Sequence, residues 1–325
     1  MSIHSHSARE STGARSPVSN TSPAVRRTGR RSFDLSLEKE GVMNRVRSTA
    51  RLLCGGVVVT GCLVVVAPVA QAGTIPVACD ENALVAAVNL ANSTSAADTL
   101  ALARGCTYRL TSAHGGLANG LPVITSPIEM IGPATVTRAS LLSFRIAEVA
   151  PTGSLTLTTA VRFSNGSAVG DGGGILNRGA VTLTNSFLSG NAAAFNGGGL
   201  ANADTASGTA PAATFTRSPV TGNSALLSGG GIYNGLRGTL TATGVTGSPL
   251  FITGNTATLH GGGIAAVDAT ATTLTQTAVT TNSAVVTAGG VYRVGGTMTT
   301  TNSPISANTP NNCVGSTPAV PNCTG

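Results

Sequence analysis

The chain has 325 residues, of which 10% are charged and 3% aromatic, with 42 glycines and a formal net charge of +7. The glycine share is about double the usual one but far below the third that collagen needs, and the scarcity of charge argues against an expanded, self-repelling chain. With so few aromatic side chains, small apolar and β-branched residues must fill the interior. This composition favours a thin, layered architecture over an ordinary helical core.

The basic charge is concentrated at the N-terminus. Residues 1–72 carry a net charge of +6, whereas residues 73–325 carry only +1. The arginines after residue 72 are isolated along the chain and form no basic stripe that could follow a phosphate backbone. We therefore expect no nucleic-acid partner.

The N-terminal region is predicted to direct export and then to be removed. Residues 43–72 have the form of a secretory signal peptide, in which a basic region precedes an apolar run at 52–67 and a small-residue cleavage site ends at Ala72. The basic residues are Arg45, Arg47 and Arg51. Residues 1–42 are interpreted as a disordered leader from an over-extended gene start, with translation beginning at Met43.

Two other export routes stay open at this point. Arg30 and Arg31 resemble a twin-arginine signal, and Cys62 lies in a loose lipoprotein box that would anchor the chain at that cysteine. The apolar run is shorter than the roughly 20 residues of a membrane-spanning helix. We expect no transmembrane span in the mature chain and a secreted, monomeric protein.

Four of the six cysteines follow the predicted signal peptide, and four cysteines allow three disulfide pairings. We favour Cys79–Cys106 and Cys313–Cys323, because each pair lies near one end of the mature chain and closes a short loop. A zinc site is the alternative, but no Cys-x-x-Cys spacing or neighbouring histidine supports it.

An internal repeat is the strongest signal in the sequence. A glycine run followed by an aliphatic residue recurs five times, and an asparagine lies nine or ten residues before each of these aliphatic residues. With the start of a sixth copy, the asparagines are Asn165, Asn191, Asn223, Asn255, Asn282 and Asn308, at spacings of 26, 32, 32, 27 and 26 residues. The basic unit is therefore about 26 residues, with insertions of six.

A unit of this length, with alternating apolar and polar residues, predicts one coil of a parallel β-solenoid. Three strands of roughly five residues and three turns fill it, and successive coils stack at about 4.8 Å. Stacked asparagine amides can donate to one coil and accept from the next. A second ladder is predicted from Asn177, Asn202 and Asn234, which lapses at Ala266 and Arg293.

Both ends of a solenoid must be covered, because open strand edges pair with other chains. Asp80 is expected to cap a short helix at 81–92 within an N-terminal cap at 79–111. The coils are then expected over about 112–310. The proline-containing segment 311–325 is interpreted as the C-terminal cap.

The glycine runs and asparagine elements resemble the repeats of right-handed parallel β-helix proteins of the pectin-lyase-like superfamily. They are most similar, over residues 155–310, to the G-G-[AILV] and F-x-x-N repeats of the polymorphic outer-membrane-protein group, with Leu, Val or Ile usually in place of Phe. Residues 79–132 also resemble the N-terminal part of secreted bacterial relatives. The resemblance implies an all-β, single-stranded, right-handed β-helix.

Many proteins of this superfamily cleave polysaccharides, and the resemblance implies that a hydrolase would carry aspartates on adjacent coils. Asp204 and Asp268 each lie four residues after a glycine-run aliphatic residue, with one coil between them. Two coils would separate them by about 9.6 Å, near the upper end of the range for inverting glycosidases. The competing interpretation is that both begin surface loops, where aspartate is common. No phosphate-loop, G-x-S-x-G or zinc motif appears, so neither cofactor nor metal is predicted.

The remaining candidates are few. His114 and His260 are single histidines, more typical of turns than of ligands or bases. Tyr233 and Tyr292 each follow a glycine-run aliphatic residue two coils apart, and with Arg293 they are candidates for stacking on sugars. We therefore expect a secreted or cell-surface, non-enzymatic protein that binds polysaccharide or another surface component. A polysaccharide lyase or glycoside hydrolase is the alternative.

Overall fold

The computed structural model describes residues 71–203, 208 and 210–325. In this part of the chain one helix accompanies 28 β-strands, and all pairings between named strands are parallel. The predicted all-β parallel solenoid is thus confirmed. The predicted leader, most of the signal peptide, Cys62 and Asp204 lie outside the described residues.

Each complete coil contributes, in chain order, one strand to each of four sheets. Sheet 1 contains β1 (Thr74–Val77), β2 (Asp98–Leu102), β4 (Pro127–Ile131), β7 (Ser154–Thr158), β11 (Ala180–Thr184), β15 (Ala212–Thr216), β19 (Thr239–Thr243), β23 (Ala271–Thr275) and β27 (Thr297–Thr301). Sheet 2 contains β3 (Thr107–Leu110), β5 (Ala134–Arg138), β8 (Val161–Ser164), β12 (Phe187–Ser189), β16 (Val220–Thr221), β20 (Leu250–Thr253), β24 (Thr277–Thr280) and β28 (Ile305–Ser306).

Sheets 3 and 4 complete the coil. Sheet 3 contains β9 (Ser167–Ala168), β13 (Ala192–Ala193), β17 (Ser224–Ala225), β21 (Thr256–Ala257) and β25 (Ser283–Ala284). Sheet 4 contains β6 (Ala147–Val149), β10 (Ile175–Asn177), β14 (Leu200–Asn202), β18 (Ile232–Asn234), β22 (Ile264–Val267) and β26 (Val291–Val294). The expectation of three strands per coil missed sheet 3, because strands of two residues are too short to show a period of two.

The core is built from inward-facing columns that run along the solenoid axis. In sheet 1 alternate residues are buried, and the same positions stack in register from coil to coil. One such column consists of Leu100, Met130, Leu157, Leu183, Phe215, Ala242, Leu274 and Thr300. Because side chains alternate across a strand, the intervening threonines lie on the outer face.

The glycine runs lie where the backbones of two coils approach closely, immediately before sheet 4. A Cβ added to Gly198 would lie 2.3 Å from the carbonyl oxygen of Ser224 and 2.4 Å from that of Gly230. Gly197, at the start of the same run, has a φ of +69°, a conformation that favours glycine. Both requirements explain why the run recurs in successive coils.

A buried asparagine ladder follows sheet 2. In each step the Oδ1 atom of one asparagine accepts from both the backbone N and the Nδ2 of its predecessor, at 2.9–3.0 Å. The members are Asn191, Asn223, Asn255, Asn282 and Asn308. Each Nδ2 also donates to a backbone carbonyl of an earlier coil, as Asn223 does to Leu188 at 3.1 Å. The ladder therefore satisfies polar groups that the thin core hides from water.

Asn165 does not occupy the ladder position that its spacing suggested. The register pairs Ser167 with Ala192, which places Gly166 opposite Asn191, and the N–H of Gly166 donates to Asn191 Oδ1 at 2.9 Å. Asn165 lies one residue earlier, exposed and at a φ of +56°. Asparagine tolerates this left-handed conformation better than most residues, which accounts for an asparagine there.

The second asparagine series forms a shorter ladder inside sheet 4. Asn177 Nδ2 donates to Asn202 Oδ1 at 2.7 Å, and Asn202 Nδ2 donates to Asn234 Oδ1 at 2.8 Å. The last amide donates to Thr272 Oγ1 at 2.9 Å. The following coil has Ala266 at this position, so a hydroxyl from sheet 1 replaces the missing amide.

Helix α1 (Glu81–Asn92) covers the first coils. Asp80 Oδ1 accepts from the N–H of Ala83 at 3.0 Å and caps the helix, as the sequence indicated. Glu81 lies in the first turn of the helix, and its Oε1 atom is 2.9 Å from His114 Nε2. Two strands of the solenoid sheets, β2 of sheet 1 and β3 of sheet 2, already lie within the region 79–111 expected to be the N-terminal cap. Among the described residues no helix is long and apolar enough to cross a membrane.

The two ends are closed by disulfides. Cys79 is bonded to Cys106, and Cys313 to Cys323, with Cα–Cα distances of 5.6 and 6.5 Å. At the C-terminal end, Val320 is buried in the same core cluster as the sheets. Such bonds indicate an oxidising environment.

Candidate functional site

The outer face of sheet 4 contains the two tyrosines singled out from the sequence. The first and third residues of its strands face inward, and the middle residues form an outer column in register. This column consists of Glu148, Leu176, Ala201, Tyr233, Ala265 and Tyr292. The two tyrosine positions are thus separated in this column by Ala265 alone, which puts their backbones two coils or about 9.6 Å apart.

Tyr292 has a defined ring orientation. Its ring stacks on the imidazole of His260, with a centroid separation of 4.3 Å and an interplanar angle of 20°. Burial lowers the pKa of His260, which favours the neutral imidazole. The pair presents a partly exposed, uncharged aromatic surface next to the fourth glycine run. Sequence reasoning gave His260 no partner, because its contact with Tyr292 depends on the register between coils.

Tyr233 is held by the turn that follows its strand. A Cβ added to Gly235 would lie 2.5 Å from Tyr233 Cε1 and 2.8 Å from the Cβ of Ala203, so the ring occupies the space that this glycine leaves. Burial raises the pKa of the Tyr233 hydroxyl, and the negative charges of Asp171 and Asp268 raise it further. The hydroxyl therefore stays protonated and remains a hydrogen-bond donor.

Arg293 does not belong to this outer face, contrary to the expectation that it contacts a ligand. It occupies the inward column beneath Asn234 and Ala266 and is 8% exposed. Its guanidinium donates to the backbone carbonyls of Gly295 and of Ala319, both at 3.1 Å. Residue parity in the strand places Tyr292 outside and Arg293 inside, where it holds the C-terminal cap.

Of the two aspartates predicted as a catalytic pair, Asp268 lies within the described residues. Asp268 is exposed in the turn after sheet 4, at a φ of +52°, and its carbonyl oxygen accepts from Arg237 N at 3.2 Å. Asp204 lies outside the described residues, so the distance between the two carboxylates stays a prediction. No group of three or more metal-ligating side chains occurs in the part of the chain that the structure describes.

A charged cluster that sequence reasoning missed lies at the N-terminal end of the same outer column. Glu148 Oε2 is 3.3 Å from Arg145 Nη1, and Glu148 Oε1 is 3.5 Å from Arg178 Nη1. Burial lowers the pKa of the Arg145 guanidinium, whose Nη2 donates to the Asp171 carbonyl at 3.1 Å. The Arg145–Asp171 and Glu148–Arg178 contacts join residues 26 and 30 positions apart, and only the coil register brings them together.

His114 belongs to the N-terminal cap and not to this face. Burial alone would raise the pKa of its partner Glu81, but hydrogen bonds from Thr111, His114 and Ser112 outweigh it and lower that pKa. The contact joins the start of helix α1 to the segment after β3. His114 thus has a clear structural partner.

No protein-family model, no curated protein and no solved structure matches the chain.

Proposed function

We propose that this chain is an exported, non-enzymatic β-helix protein that binds polysaccharide or another cell-surface component through the outer face of sheet 4. The observation that carries the proposal is the placement of Tyr233 and Tyr292 on one column, two coils apart, with Ala265 between them. Aromatic rings offer apolar surface together with a polar hydroxyl. The spacing of the two strand positions, about 9.6 Å, is close to the repeat of a β-linked disaccharide.

The details of the face support recognition of a neutral ligand. The stacking of Tyr292 on His260 at 4.3 Å orients one ring before any ligand binds, and the space left by Gly235 fixes the other. Preorganised side chains lose little conformational entropy on binding. The carboxylate of Glu148 is already engaged by two guanidinium groups, so its oxygens are not free to contact a substrate. These contacts favour binding without cleavage.

The wider assignment is part of the same proposal. The repeats support membership of the right-handed β-helix proteins of the pectin-lyase-like superfamily, with similarity to polymorphic outer-membrane-protein repeats. The two disulfides support export, with a signal peptide cleaved after Ala72 or, alternatively, a lipid anchor at Cys62. The intact mass of the protein released by its host distinguishes these: an N-terminus at Gly73 supports cleavage after Ala72, and a lipidated Cys62 contradicts it.

The binding proposal is tested with a glycan array and a reducing-sugar assay on the same preparation. We expect Tyr233→Ala and Tyr292→Ala each to weaken glycan binding, whereas Phe251→Ala, which removes a 44% exposed ring from the outer face of sheet 2, leaves it unchanged. Equal losses in all three variants would show that the face is not specific. Release of reducing ends or unsaturated products would replace this proposal with the lyase or hydrolase alternative.

A further inference from the structure

The outer face of sheet 1 has an unusually uniform chemistry. In each of six successive coils, the third and fifth residues of the sheet 1 strand are threonine, and both sets are in register. The first column is Thr156, Thr182, Thr214, Thr241, Thr273 and Thr299; the second is Thr158, Thr184, Thr216, Thr243, Thr275 and Thr301. None of these side chains is buried.

Preference of threonine for β-strands does not account for this uniformity. The neighbouring outward column of the same strands contains only Ser154, Ala180, Ala212, Thr239, Ala271 and Thr297. The outer positions of sheet 2, in the same coils, include Arg162, Phe187 and Phe251. Strand propensity acts equally on both sheets and accepts large and aromatic residues. A further constraint therefore excludes from these six strands of sheet 1 the charged and bulky residues that sheet 2 admits in the same coils.

The threonines form a regular two-dimensional grid. Neighbouring coils are about 4.8 Å apart, and alternate residues along a strand are about 6.6 Å apart. Because threonine is restricted at χ1, its methyl and hydroxyl groups can repeat with the same period. Within the described residues, Thr158 is the member of the grid whose hydroxyl has a protein partner, Glu129 Oε1 at 3.1 Å. The other grid side chains are half-buried or exposed.

The size of the grid bears on what binds it. Including the third column, it measures roughly 24 Å by 13 Å, or about 300 Å². A stable protein partner needs about 800 Å² on each side, so a second copy of the chain is a poor fit. Polysaccharide recognition draws on aromatic side chains, and no outward position of these six strands carries one. A neutral, rigid, periodic face suits a crystalline lattice.

We propose that the outer face of sheet 1 binds ice. The two grid spacings are close to those between oxygen atoms on exposed planes of hexagonal ice. Water molecules bound to the hydroxyls and ordered between the methyl groups would take positions continuous with the lattice, and water-mediated contacts of this kind are nearly as favourable as direct ones. The proposal is independent of the glycan face on sheet 4.

The test measures partitioning of the disulfide-bonded full chain into slowly growing ice, together with thermal hysteresis. We expect the protein to be enriched in the ice and to shape the crystals. Thr214→Lys and, at a second position, Thr182→Lys place a charged chain inside the grid and should abolish both effects. The matched control is Thr221→Lys, the same substitution in the same coil as Thr214 but on sheet 2, which should retain them. Far-UV circular dichroism and thermal melting verify the fold of each variant.

The outcomes are distinct. Exclusion of the wild-type chain from ice, to the same degree as an inert protein, overturns the proposal. Equal losses in Thr214→Lys and Thr221→Lys, or none in either grid variant, overturn the assignment to sheet 1. Binding to microcrystalline cellulose or chitin that is lost in Thr214→Lys, without ice binding, makes crystalline polysaccharide the occupant instead. Tyr292→Ala should leave ice partitioning unchanged, so failure of the glycan proposal is recognised separately.

Discussion

Replacing Asn223 by alanine removes the centre of the buried ladder and should cost a large part of the stability. The Asn223 side chain accepts from Asn191 N at 2.9 Å and Asn191 Nδ2 at 3.0 Å, and donates to Leu188 O at 3.1 Å and Asn255 Oδ1 at 3.0 Å. Each bond contributes about 1 kcal/mol net, and more where the partner is left buried and unpaired. The expected loss is about 4–6 kcal/mol, against the 5–15 kcal/mol typical of a folded domain.

Urea denaturation of the oxidised chain, followed by far-UV circular dichroism, measures this loss as a shift in midpoint at similar slope. The matched control is Asn165→Gly, which sequence spacing treats as the same position. Asn165 is exposed, donates to Arg138 O at 2.8 Å, and has the positive φ that glycine accepts readily. We expect a cost of about 1 kcal/mol or less for this variant. Similar costs for the two variants would refute the ladder energetics argued above.

Two further predictions concern the caps. The lowered pKa of Glu81 means that its carboxylate stabilises the fold above the ordinary carboxyl pKa, and that this contribution disappears as pH falls through the lowered value. The melting temperature should therefore fall less on acidification in Glu81→Gln than in the wild type; equal falls would contradict the assignment. Arg293→Met removes the bonds to Gly295 and Ala319, so limited proteolysis should cleave residues 311–325 faster while glycan binding persists. Unchanged cleavage would contradict the role of Arg293 in holding the C-terminal cap. Loss of glycan binding would indicate that Arg293 contributes to the ligand-binding face.

Most of the fold could be predicted from the sequence, because every coil of a solenoid needs the same residue types at the same places. Each coil needs glycine where backbones meet, an aliphatic residue in the core and an asparagine to bridge the coils, so the period appears directly in the residue order. The candidate functional site could be predicted less well. The stack of Tyr292 on His260 and the cluster around Glu148 depend on which residue of one coil lies beside which residue of the next, and insertions of six residues obscure that register.

The two misplaced residues show where spacing alone fails. In later copies the ladder asparagine lies three residues after an inward aliphatic side chain, as Asn191 does after Leu188. In the first copy the inward residue is Phe163, and three residues after it lies Gly166, not Asn165. For Arg293, alternation from Val291 already gives an inward position; an arginine is tolerated there because the C-terminal cap supplies carbonyl acceptors. The alternation of inward and outward residues along a strand therefore predicts the position of a side chain better than its distance from the glycine run does.

Register is also what makes both proposed surfaces possible. A slip of one residue would carry every threonine of the grid into the core and expose the apolar column, and it would turn Tyr292 inward. The asparagine ladder opposes such a slip, because each Oδ1 accepts two hydrogen bonds from one defined residue of the preceding coil. Coils in a solenoid contact only their neighbours, so a break at Asn223 should disorder the threonine grid around Thr214 before it affects the caps. Ladder variants that remain folded should thus lose more ice partitioning the closer they lie to the centre of the grid.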